Sequence, residues 1–171
     1  MFVRRFALLT VKKNRNRKGI RKFAPRTNEK TMLTPYKIAD YCKEYNPEWT
    51  CTMPEGCPPD DVLVASNHPF FRLAKQANTY TEDDFKSYAE ADPNHNWGKM
   101  LPLAVGLSLI ESESKVRRNL KLPMFRSYQG IIALTLQPTD GVVKQTGAHR
   151  SHYTWWRTKS FQISNLNMLD L

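Results

Sequence analysis

Between Met1 and Asn28 the chain contains no acidic residue, an absence that shapes its charge more than any other feature. Long apolar runs are missing too. A membrane-crossing helix needs roughly 18–20 apolar residues, whereas the longest candidate, Leu101 to Ile110, is interrupted by Pro102 and Gly106 and reads as core. Cysteine is scarce, with three in 171 residues. That odd number, with no secretory signal peptide in view, argues against a disulfide scaffold and for a reducing compartment. Catalytic signatures are lacking as well: the chain has no G-x-G-x-x-G, no G-x4-G-K-[ST], no G-x-S-x-G and no H-E-x-x-H. These absences remove any specific reaction, cofactor or small-molecule substrate from the reading, and the expectation is a protein that is not an enzyme.

What is present is divided unevenly. Residues 1–30 hold eleven bases against the single acid Glu29, and this surplus of ten equals the net charge of the whole chain, +10. The remaining 141 residues therefore sum to zero, which makes a cationic arm on a neutral body. Within the arm, VKKNRNRKGIRKFAPR offers almost nothing to a core, and self-repulsion opposes folding it alone. Its cations Lys12, Lys13, Arg15, Arg17, Lys18, Arg21, Lys22 and Arg26 suit a phosphate backbone, and Phe23 suits a base or a protein pocket. An anionic lipid surface is the competing partner. The opening MFVRRFALLT, with Phe2, Phe6 and Leu9 on one helical face and Arg4 and Arg5 to the side, resembles a mitochondrial targeting sequence.

The chain holds 8 Phe, 7 Tyr and 4 Trp, enough for a real core. Thr34 before Pro35 signals a helix start, followed by Ile38, Tyr41, Cys42 and Tyr45 at helical spacing and closed by Pro47. Glu48 to Asp61 reads as a turn-rich loop. A second helix is expected from Asn67 or His68, with Pro69 in its first turn, through Ala77. A third is expected to begin at Thr81, paired with Asp84 as a capping box, and to end before Pro93. Pro102 then opens a helix through Val105, Leu109 and Ile110 that continues to Val116 and Leu120. After Pro123 the pattern turns to strands: Tyr128–Leu136, the turn PTDG, Val142–Thr146 and Tyr153–Ser164. The expected fold is thus α+β, in one small domain over 31–171. It has a basic extended arm, a helical middle over 34–122 and a small C-terminal antiparallel β-meander over 123–171.

In the last strand Tyr153, Trp155, Arg157, Lys159, Phe161 and Ile163 share a face, with Trp156 opposite. Such a strand serves either as a core strand with cations at its rim or as a stacking platform for bases. Residues 38–96 carry seven more acids than bases and suit a basic protein partner. Residues 97–171 carry six more bases than acids, with Arg117, Arg118, Lys121 and Arg126 clustered, and Arg117, Arg118 and Lys121 are expected to join the arm in binding RNA. Cys42, Cys51 and Cys57 have the spacing C-x8-C-x5-C, which resembles the first three ligands of CCCH zinc fingers. The fourth position holds Asp61 rather than His, with His68 further on. Zinc ligation and ordinary structural cysteines both remain open. His149 and His152 suit a loop or RNA-facing role.

In type, the targeting-like start, basic extension and undistinguished small body resemble accessory subunits of mitochondrial ribosomes. The resemblance implies rRNA and neighbouring proteins as partners and the mitochondrial matrix as location. An accessory subunit of an inner-membrane respiratory or ATP-synthase complex, its arm on cardiolipin, is the alternative, and a CCCH-like RNA-processing factor is a third.

Overall fold

The computed structural model describes residues 31–164 and 166–171, so the arm lies outside the described residues. Eight strands build one antiparallel sheet: β1 (Met32–Lys37), β2 (Asp61–Ser66), β3 (His68–Ala74), β4 (Leu107–Ile110), β5 (Gly130–Leu136), β6 (Gly141–Gln145), β7 (His152–Arg157) and β8 (Asn167–Met168). Their order across the sheet is β1-β2-β6-β7-β4-β3-β5-β8. One residue, Asn67, joins β2 to β3, yet three strands stand between them in the sheet. A flat sheet cannot satisfy both facts, so it curls into a half-barrel. Asn67 adopts a left-handed φ of 48° at this corner. A short 3₁₀ turn, Pro138–Asp140, makes the matching corner between β5 and β6. Because β2 pairs with β6 and β3 with β5, the two halves form one long ribbon folded over on itself.

Alternation along the strands sorts side chains to the two surfaces. Phe70, Leu109, Ile132, Leu134, Leu136, Val143, Tyr153 and Trp155 form the main core inside the curl. The outer surface is covered in two places. Over β2, β6 and β7, the helix α1 (Ile38–Tyr45) packs Tyr41 onto Val62, Val64, Val142 and Trp156. Over β3 and β5, the helix α4 (Glu113–Leu120) packs Val116 onto Phe71, Ile131 and Ala133. Two further helices, α2 (Tyr88–Ala91) and α3 (Leu101–Ala104), are single turns.

The helical middle expected over 34–122 is not found: four strands, β1 to β4, fall within or across that stretch, and its helices are short. Burial on both surfaces explains the difference, because a strand covered on each side shows apolar residues in runs that mimic helical spacing. His68–Ala74 is such a strand, and Pro69 sits near its start rather than in the first turn of a helix. Thr34 and Pro35 lie in the edge strand β1, where a missing N–H is tolerated, and the helix begins at Ile38. The Thr81–Asp84 contact exists, Thr81 N–H donating to Asp84 Oδ2 at 2.9 Å, but it caps a 3₁₀ turn, Glu82–Phe85. Gly106 ends α3, and a β-carbon there would collide with the Thr154 side chain. The chain therefore enters β4 at the point where one helix was expected to continue. The C-terminal meander is also replaced. β6 and β7 pair, but β5 pairs with β3 and β8, and β7 stops at Arg157.

Candidate nucleic-acid interface

The proposed arm contacts, Lys12, Lys13, Arg15, Arg17, Lys18, Arg21, Lys22 and Arg26, lie outside the described residues, as does the targeting-like start. The remaining three sit together on the body. Arg117 and Arg118 are in the last turn of α4, and Lys121 caps it. Val116 holds the helix down, and the spacing of the bases beside it turns Arg118 and Lys121 to solvent. Arg117 is engaged within the chain: its Nε donates to Glu113 Oε1 at 2.8 Å and its Nη1 to the Asp170 carbonyl at 2.8 Å. Arg118, Lys121 and Arg126, which is also exposed, have no side-chain hydrogen bond or ion pair among the described residues. No acid occurs between Glu113 and Asp140, so no fixed negative charge from this segment offsets them. Apolar groups interrupt the bases. Met124 is 76% exposed, and Phe125 and Tyr128 lie half-buried with ring centroids 6.2 Å apart. A cationic surface with accessible aromatic and thioether groups can hold phosphates and pack against bases.

The aromatic strand is not a stacking platform. Tyr153, Trp155 and Phe161 are in the main core, and Trp156 is buried beneath α1. Each indole N–H is satisfied internally, Trp155 on the Asp140 carbonyl at 3.1 Å and Trp156 on the Pro102 carbonyl at 3.0 Å. Of the bases on that strand, Arg157 lies 5.9 Å from the Phe85 ring centroid. Lys159 is exposed and reaches Glu48 at 3.4 Å.

The zinc-finger-like residues do not assemble into one ligand set among the described residues. Cys42 is exposed on α1, where Tyr41 rather than Cys42 takes the buried position. Cys51 Sγ donates to the Val105 carbonyl at 4.0 Å and Cys57 Sγ to the Pro102 carbonyl at 3.5 Å. Burial raises all three thiols, Cys57 to about 11, which disfavours the thiolate that a metal requires. Asp61 accepts from Lys144 Nζ at 2.6 Å, and that bond holds its carboxyl below the usual range. His68 bonds Glu111 at 3.0 Å. Among the described residues, no three ligand-type side chains gather into a metal site.

His152 belongs to a polar network on the outer surface of β7. Its Nδ1–H donates to the Thr146 carbonyl at 3.0 Å, which leaves Nε2 to accept the Ser108 hydroxyl at 2.6 Å. Beside it is Arg72 on β3, a residue that sequence reasoning passed over. Burial lowers the pKa of its guanidinium, while Tyr128, Tyr88 and Asp84 nearby favour the charged form. An isolated cation in the apolar run FFRLA was the one signal that could have drawn notice to it. No helix among the described residues is long and apolar enough to cross a membrane. Comparison with known proteins finds no matching family model, no matching curated protein and no matching solved structure.

Proposed function

We propose that this protein is a structural, RNA-associated subunit, of the kind that accessory proteins of mitochondrial ribosomes represent, working in the mitochondrial matrix. The arm of residues 1–30 neutralises rRNA phosphates, and the body docks neighbouring proteins. Charge segregation is the observation that carries this reading: the arm holds the entire net charge of +10 and the body none. Each phosphate that a Lys or Arg neutralises releases a condensed counterion, a gain in entropy that needs no base contact. Arg118, Lys121 and Arg126, exposed and unpaired among the described residues, supply a second anchor on the body itself. The acid-rich segment 38–96 gives basic neighbours a surface, with α1 presenting Asp40 and Glu44 to solvent.

Sedimentation of native particles tests the reading. The protein is expected to travel with large rRNA-containing particles and to leave them on RNase treatment or at high salt. If it instead stays with a detergent-solubilised respiratory or ATP-synthase complex that contains no RNA, the arm serves lipid or protein and the reading fails.

A further inference from the structure

A cavity of about 360 Å³ opens beside the basic surface, between β3, β4, the turn that carries Tyr88 and the segment from Asn119 to Tyr128. This volume is within the range of small-ligand sites, about 300–1,000 Å³. Three aromatic side chains line it: Tyr88, Phe125 and Tyr128. Arg72 lines it as well, and the arrangement of this side chain is informative. Its Nε donates to the Asp84 carbonyl, Nη1 to the Ser108 carbonyl at 2.8 Å and Nη2 to the Lys86 carbonyl at 3.4 Å. A guanidinium has five N–H groups, so two remain. None of its partners is a carboxylate. Asp84 directs Oδ1 to the Lys75 N–H and Oδ2 to the Thr81 N–H, both at 2.9 Å, and Asp83 is tied to Lys86 at 2.6 Å. A cation fixed by neutral carbonyls, with donors to spare beside a cavity, favours a ligand rich in acceptors.

We propose that this cavity takes one unpaired nucleotide of an RNA strand. The base lies against Tyr88, Phe125 and Tyr128 and turns its acceptor edge to Arg72, while Arg118, Lys121 and Arg126 hold the flanking phosphates. Contiguity favours this occupant over a lipid chain: the segment that supplies Phe125 and Tyr128 also supplies Lys121 and Arg126, and Arg72, Lys75 and Lys86 bring cationic groups to the lining itself. Acceptor-rich edges, those of guanine and uracil, suit the spare N–H groups of Arg72. The proposal rests on the RNA reading above and adds a site on the body to it.

Fluorescence anisotropy with the full-length protein separates the two. The probes are a labelled single strand of G and U, a duplex RNA with the same number of phosphates, and free GMP as competitor. The single strand is expected to bind at least about tenfold more tightly than the duplex, because only it can offer an unpaired base. Tyr88→Ala and Phe125→Ala should each weaken single-strand binding by roughly five- to a hundredfold, the loss expected for one stacking partner. Tyr88 is 61% exposed, so its replacement leaves the core intact, and a melting curve checks Phe125→Ala. Equal binding of both RNAs by wild type and both variants overturns the cavity proposal and leaves arm-driven RNA binding standing. Binding of neither RNA overturns both. GMP binding as tight as that of the single strand identifies a free nucleotide, not RNA, as the occupant and overturns the strand assignment.

Discussion

His68 shows how one residue's surroundings decide its chemistry. Its Nε2 reaches Glu111 Oε1 at 3.0 Å, its ring lies 4.9 Å from Phe70, and its buried Nδ1 has no hydrogen-bond partner among the described residues. Burial pulls its pKa below the ordinary 6.5, and Glu111 opposes that pull without cancelling it. The folded state therefore holds the proton less tightly than the unfolded chain does. Stability from this group is full above the unfolded value and is lost as pH falls below about 6.5 through the lower folded value. Urea titrations should show the unfolding free energy declining over that interval, before carboxylates titrate, and His68→Gln should flatten the decline. At Gly141 the constraint is steric. Its φ is 122°, and a β-carbon would strike the Trp156 carbonyl. Gly141→Ala should cost about 3 kcal/mol or more, combining backbone strain and collision, measured by equilibrium unfolding. The PTDG turn that precedes β6 was legible from its residue types. The partner of His68 was not, because Glu111 lies 43 residues away and no local spacing points to it.

At the level of elements, α4 both covers the core and carries part of the basic surface. Val116 is its fully buried residue and contacts the cluster of Phe71, Ile131 and Ala133. Val116→Ala removes two buried carbons and leaves a void, a loss of about 2 kcal/mol in unfolding free energy. Amide exchange in α4 should quicken in the same variant, since this contact anchors the helix. Several elements were readable in advance. Strands at 130–136, 141–145 and 152–157 follow the expected β-rich segments, and Tyr153 and Trp155 share a side opposite Trp156 as strict alternation requires. The strands before residue 122 were not readable as such. In FFRLA and LSLI both surfaces of the sheet are covered, so polar residues that would mark a solvent side are few, and neighbouring prolines and caps favour the helical alternative. Ring proximity likewise depends on folding: Phe85 and Phe161 come within 5.9 Å although they are distant in the chain.

For the whole molecule, the governing feature is a neutral body built on a curled sheet, joined in the chain to the strongly cationic residues 1–30. Affinity for single-stranded RNA should fall steeply with salt. Replacing Lys12, Lys13, Arg15 and Arg17 by Ser should reduce the slope of log affinity against log salt by about 3. Replacing Arg118 and Lys121 by Ala should reduce it by about 1, with titrations across salt concentrations as the check. The division of charge along the chain could be counted directly, because charge is a property of residue type and position. So could the supply of aromatic side chains and the turn at Pro138–Gly141. Tertiary structure alone decided that three strands stand between β2 and β3, that Trp155 is buried in the core, and that Arg72 meets Tyr88, Phe125 and Tyr128 around one cavity. These depend on which distant segments pair. That choice is set by the simultaneous burial of both sheet surfaces and the closure of the curl, energies that no single window of sequence contains.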